Sequence, residues 1–227
     1  MAKKKNKKKR KLNKKRVLSV LIIFLLFIIF IYKISNTNIT NIYIKGNNIF
    51  TDQEIIDIAK ISNYPNSIKN NFYTLEKRLE ENKYILSARV YKKGFLKKVY
   101  IEIEENYPLF YNLSEDKTIL YDGSKVSDKF TIPTLINKIP DTIYDEFLEK
   151  TKKMDKNILN RISEIEYNPN EVDEERFFLL MNDGNYVYIT LNKYLNINKY
   201  LDIIESFENK KGILHLDSGE YFDVFND

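Results

Sequence analysis

The chain has 227 residues, with 37 Lys or Arg against 32 Asp or Glu, a single His and no Cys. Without Cys there is no disulfide and no thiolate metal site, so stability rests on core burial, and the length suits one or two ordinary domains. The net charge of +5 is local: residues 1–16 hold eleven cations and no acid, leaving 26 cations against 32 acids. The basic pI therefore describes the tail and gives no support to nucleic-acid binding.

The tail runs straight into Val17–Tyr32, an uninterrupted apolar run that includes Leu21, Phe24, Phe27 and Phe30. As a helix it spans roughly 24 Å, or about 27 Å to Ile34 with Lys33 snorkelling, enough to cross a thin or locally thinned bilayer. The cations beside it, Lys11, Lys14, Lys15 and Arg16 among them, place the N-terminus in the cytoplasm by the positive-inside rule. A cleaved signal peptide would show a shorter apolar core and end in a small-x-small site, and Lys33–Thr40 has no Ala-x-Ala pattern. A buried soluble helix would need a polar face, and this run has apolar residues all round. The expected organisation is a basic cytoplasmic tail at 1–16, a membrane helix at 17–34 and an extracytoplasmic remainder.

After a short polar spacer, Ile39–Asn47 reads as a strand ending at Gly46-Asn47. Thr51-Asp-Gln-Glu54 is a capping box opening a helix whose stripe is Ile55, Ile58, Ala59 and Ile61. Phe72, Leu75 and Leu79 mark the buried stripe of a second helix. Tyr84–Tyr91 and Leu96–Glu104 then form a hairpin around Gly94, with Leu96, Val99, Ile101 and Ile103 apolar and Glu102 and Glu104 facing water. The order is β-α-α-β-β.

Four strings in that order carry a resemblance: I-x-x-I-x-I-x-G-N at Ile39–Asn47, T-x-x-E-I at Thr51–Ile55, I-x-x-A-x-V at Ile85–Val90 and V-x-I-x-I-E-E-N-x-P at Val99–Pro108. Together, and placed after one membrane helix, they resemble the POTRA domain of the FtsQ/DivIB cell-division family. The resemblance implies a POTRA domain at 38–106 followed by a β domain at 107–225, a curved, mainly antiparallel sheet with flanking helices, in an α+β fold.

The second half fits that expectation. Thr118–Gly123 reads as a strand entering a turn, and Ile132-Pro-Thr-Leu135 resembles the family's strand-entry segment. Asp141 is placed to cap a helix carrying Phe147 and Leu148; residues 140–160 match the family poorly. Ile162–Ile165 precedes a hairpin over Phe177–Thr190 with Asp183-Gly184 at its turn. Ile197, Tyr200, Leu201 and Ile204 form a helical stripe that Gly212 follows. Ile213–Leu216 and Tyr221–Phe225 make a final strand pair.

Catalytic patterns are weak. His215 alternates with Leu214 and Leu216 and has no second His or Cys to complete a metal site. Glu102 and Glu104 share one strand face about 6–7 Å apart, a glycosidase-like spacing that is equally a solvated face. Ser114-x-x-Lys117 matches a penicillin-binding nucleophile motif, but Ser127-Asp-Lys129 departs from its S-D-N partner and no K-T-G follows. With six glycines there is no phosphate loop. No cofactor, nucleic acid or small-molecule substrate is expected. Lys92, Lys93, Lys97 and Lys98 crowd the hairpin tip; a solvated turn is the plain account, with anionic lipid or wall polymer as alternatives.

In the family the β domain receives a short segment of a DivIC/FtsB-type partner beside its last strand. The resemblance therefore points to Tyr221, Phe222, Val224 and Phe225, where a free strand edge would invite strand addition. Packing into the core is the alternative use of these aromatics. The implied function is non-enzymatic assembly of the division machinery at the septum, with DivIC/FtsB-type and FtsL-type single-pass partners at the cytoplasmic membrane. A general envelope or export module using the POTRA fold, and a membrane-anchored wall enzyme, are the competing readings.

Overall fold

The computed structural model describes residues 13–208 and 210–225. The chain divides into two compact units, Met1–Glu105 and Asn106–Asp227.

The first unit opens with helix α1, Lys14–Ser35, long and apolar enough to cross a membrane and with no buried side chain. It starts within the cations, upstream of the apolar run, because the Asn13 side chain accepts from the Lys15 N–H and caps it. Strand β1 (Asn41–Lys45), helices α2 (Asp52–Ile58) and α3 (Phe72–Glu80), and strands β2 (Ile85–Lys93) and β3 (Lys98–Glu105) follow. The sheet order is β1-β3-β2, with β1 parallel and β2 antiparallel to β3. Both helices pack on one face, and Ile55, Leu75, Leu79, Val90, Val99 and Ile101 form the core. The Thr51–Glu54 capping box is present in both directions.

Two expectations in this unit are corrected. Phe72 is 58% exposed: it is the first residue after the Asn71 cap and points away from the core that Leu75 and Leu79 enter. Leu96 lies in the turn, at φ 69°, before the strand begins. One anchor is a residue of the Val99–Pro108 string whose role the sequence did not show. The buried Glu105 carboxylate accepts from the backbone N–H of Asn48, Ile49 and Phe50 at 2.8–3.0 Å, tying the end of β3 to the loop before α2.

The second unit holds β4 (Pro108–Asn112), β5 (Lys117–Leu120), β6 (Lys125–Val126), β7 (Thr134–Leu135), α4 (Asp141–Lys152), α5 (Lys156–Leu159), β8 (Ile162–Tyr167), β9 (Arg176–Met181) and β10 (Tyr186–Thr190). A 3-10 helix at Leu191–Lys199 runs into α6 (Tyr200–Ser206), and β11 (Gly212–His215) and β12 (Tyr221–Val224) complete the unit. The nine strands form one sheet in the order β12-β11-β10-β9-β8-β7-β4-β5-β6. Most neighbours are antiparallel; β4–β7, β7–β8 and β10–β11 are parallel. One face packs on Phe147, Ile158, Tyr194, Ile197 and Tyr200 from the helices, which bury Phe177, Leu179, Val187, Ile189 and Leu214.

Asp141 is the first residue of α4 rather than its cap. Pro140 holds the cap position with no side-chain bond, and Asp141 instead places a negative charge in the first turn. Ile162–Ile165 is itself part of strand β8, because it pairs with β9 on one side and β7 on the other. Gly212 does not cap α6. It begins β11, where an added Cβ would lie 2.2 Å from the Asp223 carbonyl oxygen and 2.8 Å from the Phe222 ring. The two strands of the final pair come too close there for any side chain.

Candidate functional site

Strand β12 is one of the two terminal strands of the nine-stranded sheet, paired with β11 on one side. The register couples Gly212 to Val224, Ile213 to Asp223, Leu214 to Phe222 and His215 to Tyr221. The Phe225 N–H donates to the Lys211 carbonyl at 2.9 Å. In an antiparallel pair alternate residues exchange bonds with the neighbour, so Tyr221, Asp223 and Phe225 bond to β11. Phe222 and Val224 then direct their N–H and C=O groups to the open side of the sheet.

The side chains sort by the same alternation. Phe222 is 9% exposed and turns toward the core, where its ring lies 5.0 Å from Phe207. A cavity of about 340 Å³ opens beside it, lined by Ile203, Phe207, Leu214, Leu216 and the polar Lys199 and Glu220. Val224 is half-buried on the same face. Tyr221 is 51% exposed on the outer face, and Phe225, beyond the strand, is exposed with its ring 5.9 Å from Tyr186.

Tyr221 ends an aromatic row that crosses four strands in register: Phe178 on β9, Tyr188 on β10, His215 on β11 and Tyr221 on β12. Ring centroids are 4.7 Å apart for Phe178–Tyr188, 5.4 Å for Tyr188–His215 and 4.4 Å for His215–Tyr221. The Arg176 guanidinium stacks on Tyr188 at 3.7 Å and binds the Asp217 carboxylate at 2.8 Å. Asp217 also stands 3.6 Å from His215 Nδ1. Burial alone would raise the Asp217 carboxyl, but hydrogen bonds from Arg176 and Ser218 outweigh it and hold it below the ordinary Asp range.

A buried polar junction fixes β11 under this row. Asn185, fully buried after the β9–β10 turn, accepts from the Gly212 N–H and donates to the Tyr200 hydroxyl, both at 2.9 Å. Tyr200 in turn donates to Asp183, and burial pushes its hydroxyl well above the ordinary tyrosine value. Asn185, Arg176, Asp217 and Tyr188 carried no sequence signal as a group, since their contacts span up to 41 residues of chain. The one available hint was the period-two spacing of Tyr186 and Tyr188 beside the β9 aromatics.

Of the first unit's two edge strands, β2 is different. The outward N–H groups of Ala88 and Val90 on β2 are taken by Glu80 and Glu76 of α3, at 3.1 and 2.7 Å. That edge is occupied by its own helix.

The other sequence candidates are dispersed. Val17, Leu21, Phe24, Phe27, Phe30 and Tyr32 are exposed along α1, and Lys14, Lys15 and Arg16 form its first turn; Lys11 lies outside the described residues. Lys117 Nζ bonds Ser127 Oγ at 2.7 Å, while Ser114 lies in the turn after β4. Glu102 accepts from the Tyr91 hydroxyl at 3.1 Å, and Glu104 from Ser87 at 3.3 Å. Among the described residues no group of three or more His, Cys, Asp or Glu is arranged to hold a metal.

Residues 37–106 match the family model for the POTRA domain, FtsQ-type. The chain is 29% identical over 202 residues to cell division protein DivIB of Bacillus subtilis (strain 168), covering 83% of this chain and 75% of that protein. The chain is similar to proteins of the FtsQ/DivIB family. DivIB of Bacillus anthracis is 28% identical over 196 residues, covering 82% of this chain and 73% of that protein. A solved structure of the major extracytoplasmic domain of DivIB from Geobacillus stearothermophilus aligns at TM-score 0.38 and 20% identity, covering 47% of this chain and 97% of that one. The relatives named are cell-division proteins, and the first unit of this chain has the β-α-α-β-β order of the POTRA domain that its family model matches.

Proposed function

We propose that this chain is a non-enzymatic assembly protein of the division machinery, held in the cytoplasmic membrane by α1 with its N-terminus in the cytoplasm. Residues 1–16 form the tail, 17–34 the span, 38–106 the POTRA domain and 107–225 the partner-binding β domain. Its partners are DivIC/FtsB-type and FtsL-type single-pass proteins, met at the septum.

One observation supports this reading above the rest: the open side of β12 offers the backbone groups of Phe222 and Val224. An extended partner segment bonding there lengthens the sheet by one strand. Its outer-face side chain beside Tyr221 continues the aromatic row, and its inner-face side chain reaches the cavity by Phe222. Confinement of both proteins to one membrane raises their effective concentration, so a contact of a few hydrogen bonds suffices.

A fluorescent tag on the cytoplasmic N-terminus tests the role in cells. A mid-cell band appearing with constriction is the expected result. Uniform membrane signal from a functional fusion sinks the reading and favours a general envelope module.

A further inference from the structure

At the start of the POTRA unit three distant stretches of chain meet where α1 ends. The Asn66 side chain donates to the Ser35 carbonyl at 2.5 Å, and the Ser67 N–H donates to the Thr37 carbonyl at 2.8 Å. The Ser67 hydroxyl donates to the Leu96 carbonyl at 2.5 Å, and the Thr40 N–H to that of Lys97 at 2.8 Å. Lys92, which the sequence placed in a solvated turn, is instead folded inward. Its ammonium donates to Ser67 and Asn70, and burial lowers its pKa to about 8. The loop at 63–71 and the β2–β3 hairpin tip are thereby fastened to the end of the apolar helix.

The tip is built against local preference. The Lys97 N–H donates to the Gly94 carbonyl, closing a turn whose central residues are Phe95 at φ 53° and Leu96 at φ 69°. Two positive φ values in such a turn favour Asn and Gly, which adopt that backbone most easily. Here bulky apolar residues hold both places, and Phe95 is 87% exposed. Ile68 and Phe72, both exposed, share one depression with Leu96. Lys69, Lys97 and Lys98 are exposed around them. Strain retained at an exposed apolar tip points to a use for that tip.

We propose that this rim, with Phe95 at its point, inserts into the headgroup layer of the outer leaflet, and that Lys69, Lys97 and Lys98 meet anionic lipid phosphates. The proposal rests on α1 being the membrane anchor. The chemistry is that of interfacial anchoring: an apolar group enters the acyl boundary while cations stay at the phosphates. The few residues between Ser35 and β1 hold the rim at the membrane end of the unit. An inserted rim would fix the orientation of the POTRA unit on the bilayer, which a bare tether would leave free.

The chain contains no Cys, so one engineered thiol gives one label. The full chain is placed in vesicles of phosphatidylglycerol and phosphatidylcholine, with an environment-sensitive dye on Ile68→Cys, on Ile49→Cys or on Ile23→Cys. Ile49 is exposed beyond the opposite end of β1 and serves as the wet reference; Ile23 lies mid-way along α1. The expected result is a blue-shifted dye at 68, quenched by nitroxide lipids and several-fold less open to iodide than the dye at 49. Phe95→Asn, which suits the turn, should return the dye at 68 to water, and vesicles of phosphatidylcholine alone should weaken its shielding. A dye at 68 as wet as that at 49 overturns the proposal while a lipid-quenched dye at 23 leaves the anchor standing; a wet dye at 23 removes both. Shielding at 68 that appears only on adding purified wall polymer assigns the rim to the wall and also overturns the proposal.

Discussion

The His215 ring lies stacked on the Tyr221 ring, centroids 4.4 Å apart and planes 11° from parallel. This contact carries the aromatic row of the outer face to the last strand of the sheet. It holds Tyr221 upright beside the open edge, where a partner side chain would meet its other face. Such a pair contributes about 0.5–1.5 kcal/mol beyond area burial. His215→Ala should therefore weaken partner binding several-fold by freeing Tyr221, and Tyr221→Ala should weaken it more. Titration calorimetry with the partner ectodomain measures both, and a Tyr221→Ala affinity equal to that of the unsubstituted protein would remove Tyr221 from the interface.

Asp217 makes the edge sensitive to acid. Its carboxyl titrates lower in the fold than in the unfolded chain, because Arg176 and Ser218 outweigh burial. The contribution is therefore complete above the unfolded Asp value of about 4 and is lost as pH falls through the lower folded value. Asp217→Asn should cost about 1.5–3 kcal/mol at pH 7, the range for a hydrogen bond to a charged group, and should flatten the fall in stability below about pH 4. Urea melts across that window check the sign; parallel profiles for the two proteins contradict it.

Gly212→Ala tests the close approach of β11 and β12. A Cβ at 2.2 Å from the Asp223 carbonyl oxygen must push the strands apart. The expected cost is about 1–3 kcal/mol, as for an overpacked core. Hydrogen exchange should rise at Ile213, Asp223 and Phe225 before it rises in β9 or β10.

Glu105→Ala tests the POTRA unit in the same way. It leaves the N–H groups of Asn48, Ile49 and Phe50 without their acceptor. A loss of about 1–3 kcal/mol is expected. Thermal melts of the full-length protein in nanodiscs should show an earlier POTRA transition, with Glu105→Gln intermediate.

The POTRA unit was legible in the sequence because its signals are local. The capping box joins Thr51 to Glu54 over one turn, and the apolar period of two in β3 sorts Val99, Ile101 and Ile103 from Glu102. The second unit was less so. Its parallel pairings join strands distant in sequence, and its 3-10 helix carries the same apolar spacing as an α-helix at Ile197 and Tyr200. The aromatic alternation at Tyr221 and Phe222 was readable, but not which edge it would face. That depends on β12 ending the sheet, a property of all nine strands together. Gly212 was placed after the helical stripe, but its closeness to β12 could not be read, because it depends on the Asp223 and Phe222 of a neighbouring strand.

The most direct test uses one substitution at the open edge. The Val224 N–H points away from β11, so Val224→Pro removes a group that only an added strand would use, and proline is tolerated on an edge. Binding of a DivIC/FtsB-type partner to the full-length protein in nanodiscs is measured together with hydrogen exchange at Ile213 and Asp223. The account predicts binding weakened by about tenfold or more, equal to about 1.4 kcal/mol, with the β11–β12 pair still protected. Unchanged binding with the pair intact would contradict strand addition at β12.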